Sequence, residues 1–301
     1  MFSFLPAPVL GLIAATLMLL NILFWVPILL AFSVIKLLLP FKRVRLWIDP
    51  LLLRIAEAWI AGNSGWMRLT QKLDWDVSGL EQLSPRHWYL VVCNHQSWVD
   101  ILVLQHVLNR RIPLLKFFLK KELIWVPIMG LAWWALEFPF MRRRSEAYLQ
   151  QHPEERGKDA AATRAACEKY ALIPTSVMNF LEGTRFTRTK HARQQSPYQH
   201  LLKPKAGGVT LALDAMGERF TAVLDITIVY PQGIPTFMQF LQGRVRKVVV
   251  RVRALPVPQA SAGAGQTQEQ ALRDTCQQWV NQLWADKDVL IDQLLNARHP
   301  G

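Results

Sequence analysis

The first 35 residues contain no Asp, Glu, Lys or Arg, so the chain opens on an uncharged, largely apolar run rather than an amphipathic one. A membrane span needs about 20 such residues, and at about 1.5 Å per residue this run exceeds a hydrocarbon core of about 30 Å. Asn21 and Pro27 interrupt it, which makes one kinked span or a half-inserted helix pair as reasonable as one straight helix. The run is too long for a cleaved signal peptide and lacks that element's basic start. Residues 51–60, "LLLRIAEAWI", continue with the spacing of an amphipathic helix.

The pattern then alternates between strands and helices. "LDWDVSG" (73–79) and "WYLVVCN" (88–94) read as strands, the second buried on both faces, and "ILVLQHVL" (101–108) reads as a helix. "PTSVMNFLEG" (174–183), "FTAVLDITIVYP" (220–231) and "RVRKVVVRVRAL" (244–255) predict further strands, with a helix at "GGVTLALDAM" (207–216). Such alternation predicts an α/β domain with a mixed or parallel central sheet flanked by helices. The organisation follows as an N-terminal anchor over 1–45, an α/β domain over 46–255, a low-complexity linker over 256–270 and a helical segment over 271–301. The stretch "PLLKFFLKKELIWVPIMGLAWWAL" (113–136) mixes lysines with dense aromatics. It predicts a segment lying on a membrane, with a helix buried against the sheet as the alternative.

Charge sharpens this picture. The chain has 301 residues, 51% of them apolar, and Lys plus Arg exceed Asp plus Glu by 35 to 22, a formal charge of +13. That balance calls for an anionic partner: nucleic acid, an acidic membrane surface or a phosphorylated substrate. Twelve Trp residues favour the lipid–water interface. No recognition helix or aromatic-lined basic sheet stands out for nucleic acid. Lys36, Lys42, Arg43 and Arg45 follow the apolar run, so the positive-inside rule places the rest of the chain in the cytoplasm. Cys93, Cys167 and Cys276 are odd in number and far apart, which argues against a disulfide framework or a zinc site.

"VVCNHQSWVD" (91–100) carries the candidate chemistry, because His95 falls where a strand gives way to a helix. Ser97 reads as the helix N-cap with Asp100 three residues on, and a carboxylate at that position points back toward the loop that holds His95. Such a carboxylate can fix an imidazole tautomer and stabilise the imidazolium. The same residues also fit an ordinary capped helix with a turn histidine. There is no Gly-x-Ser-x-Gly elbow, and Cys93 reads as core. A working His–Asp pair would therefore activate a substrate hydroxyl directly, with backbone N–H groups near the start of the 97–108 helix as oxyanion donors. "FLEGTRFT" (180–187) offers Arg185 to a phosphate, and "FPFMRRR" (138–144) offers an arginine cluster.

Together these stretches resemble the lysophospholipid acyltransferase family, in particular its lysophosphatidate acyltransferases. "NHQSWVD" matches the family's first motif and implies His95 as general base with Asp100 as its partner. "FPFMRR" matches the second and implies Arg143 in the acceptor site. "FLEGTR" matches the third and implies that Glu182, Gly183, Thr184 and Arg185 bind the glycerol phosphate, although Leu181 stands where the family usually has proline. "DITIVYP" (225–231), "TRFTRTKH" (184–191) and "LWADKDVLI" (283–291) look like the family's long-chain branch. The resemblance implies a glycerolipid acyltransferase-like α/β fold with an N-terminal membrane helix segment. It implies an acyl-CoA or acyl carrier protein donor, a lysophospholipid acceptor, and neither metal nor cofactor. The expected location is a bacterial-type cytoplasmic membrane, with the active site facing the cytoplasm.

Overall fold

The computed structural model describes residues 4–141, 170, 173–259 and 267–296. Helix α1 (Ala7–Leu38) is one continuous helix with Pro27 inside it, and after the short turn 39–41 helix α2 (Lys42–Thr70) packs back along it. Residues 7–38 thus form one helix rather than a pair, its partner in the hairpin is α2, and α2 runs without a break through position 45. By length and composition α1 can cross a membrane. Leu12, Leu19, Leu23 and Phe24 are exposed along it.

The hairpin is locked by polar groups. Asn21 Nδ2 donates to the Trp59 carbonyl and to Asn63 Oδ1, each at 2.9 Å, while Trp66 Nε1 donates to the same Asn63 oxygen at 3.1 Å. A Cβ at position 62 would lie 2.1 Å from Asn21 Oδ1, so the close approach requires Gly62. At the other end Lys36 pairs with Asp49 of α2 at 2.5 Å and with Glu137 at 3.1 Å. Lys36 therefore binds the hairpin to the body of the protein and does not belong to the free positive flank.

The body is a six-stranded mixed sheet. Its strands are β1 (Asp74–Ser78), β2 (Tyr89–Cys93), β3 (Leu115–Phe117), β6 (Ser176–Phe180), β7 (Ala222–Val229) and β8 (Lys247–Leu255), in the order β1-β8-β7-β2-β6-β3. Strands β7, β2, β6 and β3 are mutually parallel, and β8 runs antiparallel to β7 while pairing in parallel with β1. Central strand β2 is buried at all five positions, and each such apolar side chain contributes roughly 1.5–3 kcal/mol. Tyr89, Val91 and Cys93 face a core with α3 (Val99–Leu108), whereas Leu90 and Val92 face Val209 and Leu213 of a later helix and Trp284 near the C-terminus.

Residues 113–136 form neither a single surface helix nor a single buried one. After β3 come the short strand β4 (Leu119–Lys120), a 3₁₀ turn (Lys121–Trp125) and α4 (Met129–Ala135), and β4 pairs with β5 (Phe140–Met141). Pro127 keeps Val126 extended and ends the 3₁₀ turn. Leu119, Ala132, Ala135 and Leu136 pack on the hairpin, while Trp125, Leu131 and Trp134 stay exposed. The segment divides its apolar side chains between core and surface. The remaining α-helices among the described residues are α5 (Arg188–Gln194), α6 (Gly207–Met216), α7 (Phe237–Leu241) and α8 (Gln268–Asn296).

Candidate active site

Three neighbouring parallel strands deliver the site from their C-terminal ends, where open α/β sheets bind ligands. His95 follows β2, the 182–185 turn follows β6, and Tyr230 follows β7. The Asn94 side chain closes the β2–β7 end by exchanging hydrogen bonds with the Ile228 backbone, donating to O and accepting from N at 2.9 Å each.

His95 is held on every side but one. Its Nδ1 lies 2.9 Å from Asp100 Oδ2, and its ring stacks on Phe180 at 3.9 Å with an angle of 12°. The backbone N–H donates to Glu182 Oε1 at 2.7 Å, and the carbonyl accepts from the Phe186 N–H at 2.8 Å. Asp100, in the first turn of α3, is completely buried. Its Oδ2 also accepts the N–H groups of Gln96 (2.6 Å) and Ser97 (2.8 Å), and its Oδ1 accepts the Tyr230 hydroxyl at 2.6 Å. With an acceptor-only carboxylate at Nδ1, the proton sits there and Nε2 keeps its lone pair. The two residues chosen from sequence therefore form an oriented pair.

Ser97 caps α3 as the sequence predicts: its Oγ accepts the Val99 N–H at 3.2 Å, its own N–H donates to Asp100 Oδ2, and Trp98 already has helical backbone angles. Ser97 Oγ also donates to the Pro235 carbonyl at 2.6 Å. Of the backbone donors expected to form an oxyanion site, the N–H groups of Gln96, Ser97, Val99 and Asp100 are engaged, which leaves the Trp98 N–H as the donor at the helix start without a hydrogen-bond partner among the described residues. Cys93 is core, as its place in the strand required, and burial pushes its thiol well above the usual range. A thiol held protonated is a poor nucleophile.

The turn after β6 separates two roles that the sequence merged. Glu182 is fully buried, and its oxygens accept the His95 N–H and, at 3.1 Å, the Leu202 N–H. It ties two loops together and does not line the cavity around His95. Burial pushes its carboxyl up to about 8, against the pull of those two N–H groups. Gly183 takes φ +67°, which turns the chain so that Thr184 and Arg185 face outward. Thr184 Oγ1 accepts from Lys190 Nζ at 2.7 Å, and the Arg185 guanidinium lies over the Trp98 ring at 4.5 Å. Arg143 lies outside the described residues.

Gly183, Thr184 and Arg185 share with His95 the wall of a cavity of about 780 Å³. Met18, Ile22 and Trp59 of the hairpin form one side of it, and Phe117, Leu119 and Phe138 form another. Among the described residues, the Lys or Arg side chains on its wall are Arg185 and Lys120, the second of which the sequence did not single out. The result is a large apolar chamber that presents a histidine together with these cations.

Helix α8 braces the site from behind. Trp284 Nε1 donates to the Leu202 carbonyl at 3.0 Å, and the Asp288 carboxylate accepts the N–H groups of Gln199 (2.7 Å) and His200 (2.8 Å). Those bonds fix the loop whose Leu202 N–H binds Glu182, which in turn binds His95. Buried Lys287 pairs with Asp225 of β7 at 2.5 Å and donates to the Ile226 carbonyl at 2.7 Å. The stretches "LWADKDVLI" and "DITIVYP" are therefore partners in space.

The model of the family described as Acyltransferase matches residues 74–232. The mouse 1-acyl-sn-glycerol-3-phosphate acyltransferase gamma is 25% identical over 249 residues, covering 75% of this chain and 60% of that protein. The human 1-acyl-sn-glycerol-3-phosphate acyltransferase delta is 27% identical over 216 residues, covering 68% of this chain and 52% of its own length. This chain thus spans between about half and three-fifths of the curated relatives it matches. The crystal structure of the 1-acyl-sn-glycerophosphate acyltransferase PlsC from Thermotoga maritima superposes with a TM-score of 0.52 at 20% identity, covering 92% of this chain and 94% of that one. That likeness establishes the fold.

Proposed function

We propose that this chain, which belongs to the acyltransferase family, transfers a fatty acyl group from a thioester donor to the free hydroxyl of lysophosphatidate, giving phosphatidate. One observation carries the proposal: the free Nε2 edge of an Asp100-oriented His95 belongs to a ring on the wall of an apolar cavity that also presents Arg185 and Lys120. An alkyl chain fits such a chamber, a phosphate fits the cations, and a hydroxyl next to His95 would be the reacting group. The names of the matched relatives point the same way.

In this reading His95 Nε2 removes the proton from the glycerol hydroxyl while that oxygen attacks the thioester carbonyl. The new C–O bond forms, the C–S bond breaks, and the imidazolium returns the proton to the departing thiolate. Asp100 stabilises the imidazolium between these steps. Arg185 grips two phosphate oxygens in a planar fork, which a lysine cannot do, and Lys120 adds a point charge. Glu182 acts as a positioning residue, and Arg143 stays an acceptor-site candidate on its motif alone. The hairpin lies in a cytoplasmic membrane, with Lys42, Arg43 and Arg45 on the inner side, and the donor arrives from the cytoplasm.

The test is an acceptor panel of lysolipids that differ only in headgroup, with labelled acyl-CoA and the full-length protein in vesicles. Lysophosphatidate should be the best acceptor. Arg185→Lys should raise its KM about tenfold to a hundredfold, the loss of one charge-assisted bond, with the donor KM little changed. Equal or faster turnover of lysophosphatidylglycerol would move the activity to another lysophospholipid. A selective rise in the donor KM would move Arg185 to the donor side.

A further inference from the structure

Lys287 of α8 has no exposed surface, and no step of the proposed acyl transfer uses it. Its ammonium grips three successive residues of β7. It ion-pairs with Asp225 Oδ1 at 2.5 Å and donates to the Ile226 carbonyl at 2.7 Å and to Thr227 Oγ1 at 3.0 Å. Asp225 is also completely buried, and its other oxygen accepts Arg253 Nε at 3.0 Å and Nη2 at 2.6 Å from β8. Stability alone does not call for such a group. Desolvation of a buried ion pair offsets its attraction, and an apolar pair of similar volume would hold the helix as well.

What an apolar pair cannot supply is register. Cys276, Val280, Leu283, Trp284 and Ile291 put a plain apolar stripe of α8 into the core, and helices packed in this way can shift by a turn, about 5.4 Å. An ammonium bound to three consecutive residues fits one position only. From that position two lines of hydrogen bonds run to the catalytic pair. On the first, Trp284 and Asp288 hold the 199–202 loop, whose Leu202 N–H binds Glu182, and Glu182 accepts the His95 N–H. On the second, β7 continues to Ile228, tied to Asn94, and to Tyr230, which donates to Asp100. One line ends on His95 and the other on Asp100. Among the described residues, neither Asp225 nor any residue of α8 lines the cavity.

We infer that Lys287 is a positioning residue: locked onto Asp225, it fixes the separation at which the two lines hold His95 and Asp100, and so sets the geometry of proton transfer from behind the sheet. This rests on acyl transfer as the function. Misplacing a catalytic group by about 1 Å costs about a hundredfold in rate. Because the cavity wall is untouched, the loss belongs to kcat and to neither KM.

The experiment uses the full-length protein in vesicles. Lys287→Met alone strands a buried carboxylate and can unfold the chain, so the main variant is Lys287→Met with Asp225→Leu. It removes both charges together and leaves Arg253, whose side chain is 38% exposed, to solvent. A second variant, Asp288→Ala at a half-buried position, loosens only the line to His95. Initial rates are measured with each substrate varied in turn. The nitrogen resonance of the His95 Nδ1–H is read by solid-state NMR on the same vesicles, with His95→Ala to identify it. We expect kcat to fall about tenfold to a hundredfold in the double variant and less in Asp288→Ala. Both KM values should stay within about twofold, and the His95 resonance should broaden or split in each variant. A folded double variant with unchanged kcat, or with lowered kcat and an unchanged His95 resonance, overturns the inference. So does a rise in either KM at constant kcat, which would make the pair a support of the cavity wall. If the double variant does not fold, Asp288→Ala decides by the same criteria. A wild type that transfers no acyl group would end the acyl-transfer reading, while the His95 resonance would still decide whether Lys287 positions the pair.

Discussion

Asp100→Asn tests the His–Asp pair more sharply than deletion does, because the structure dictates how the amide must sit. Oδ2 faces three donors, His95 Nδ1 and the N–H groups of Gln96 and Ser97, whereas Oδ1 faces only the Tyr230 hydroxyl. An amide NH₂ on the first side would oppose three N–H groups. On the second side it can donate to a phenol oxygen that simply rotates its proton away. The amide oxygen therefore stays beside His95, and the proton stays on Nδ1. An amide that turned its nitrogen to the imidazole would impose the wrong tautomer, a loss of about 10⁴. Here only charge is lost. Two unit charges about 4 Å apart interact by about 4 kcal/mol at an effective dielectric of about 20. About half of that applies if proton transfer is half complete in the transition state. The expected fall in kcat is about 30-fold to about a thousandfold, and smaller than that of His95→Ala on the same preparation. The assay is the initial rate at saturating donor and acceptor, with circular dichroism to confirm the fold. A loss equal to that of His95→Ala would refute the amide orientation. A loss under about threefold would show that the carboxylate's charge does not act.

Three further outcomes are expected. Tyr230→Phe leaves Asp100 Oδ1 without its hydroxyl donor in a buried site, at a cost of about 1–3 kcal/mol in stability, read from the denaturant midpoint; an unchanged midpoint would mean that water replaces the hydroxyl. Glu182 binds its proton more tightly when folded than at its ordinary value of 4.5, its carboxyl being raised to about 8. Its contribution to stability is therefore full below the lower value and is lost as pH rises through the upper one. The unfolding midpoint should decline across that window, and Glu182→Gln should remove the decline; an equal slope in both proteins would assign it elsewhere. Gly62→Ala forces a Cβ into Asn21 and should destabilise the hairpin by about 1–3 kcal/mol as overpacking does, with recovery in the double variant Asn21→Ala; destabilisation that persists there would place the strain elsewhere.

Strands β2, β6, β7 and β8 were legible because each is a short apolar run of β-branched and aromatic residues between turns. His95 and Asp100 were legible because a strand end and a helix start lie five residues apart. Tyr230 was not, since its contact depends on β7 lying next to β2, which no local pattern encodes. Glu182 looked like its neighbour Arg185, and only the positive φ of Gly183 separates the inward side chain from the outward one. Lys120 was hidden in a stretch whose mixed composition fits a surface helix, a buried helix or the short strands that actually form. The role of α8 was equally hidden, because an amphipathic pattern marks one face of a helix and cannot say which loop that face will hold.

The cavity draws its walls from both the hairpin and the sheet, so anchor and catalyst are not separable modules. Cutting the chain before α2 would leave an open trough where a chamber had been, even if the α/β body folded. A chimera carrying a relative's hairpin would import new residues at positions 18, 22 and 59 of the wall, and with them a different chain preference. The site is also assembled only when the hairpin docks on the body, so a protein caught between insertion and docking would hold an oriented His95 with no room for a lipid. Docking of the hairpin is then the step that completes the lipid-sized chamber beside His95.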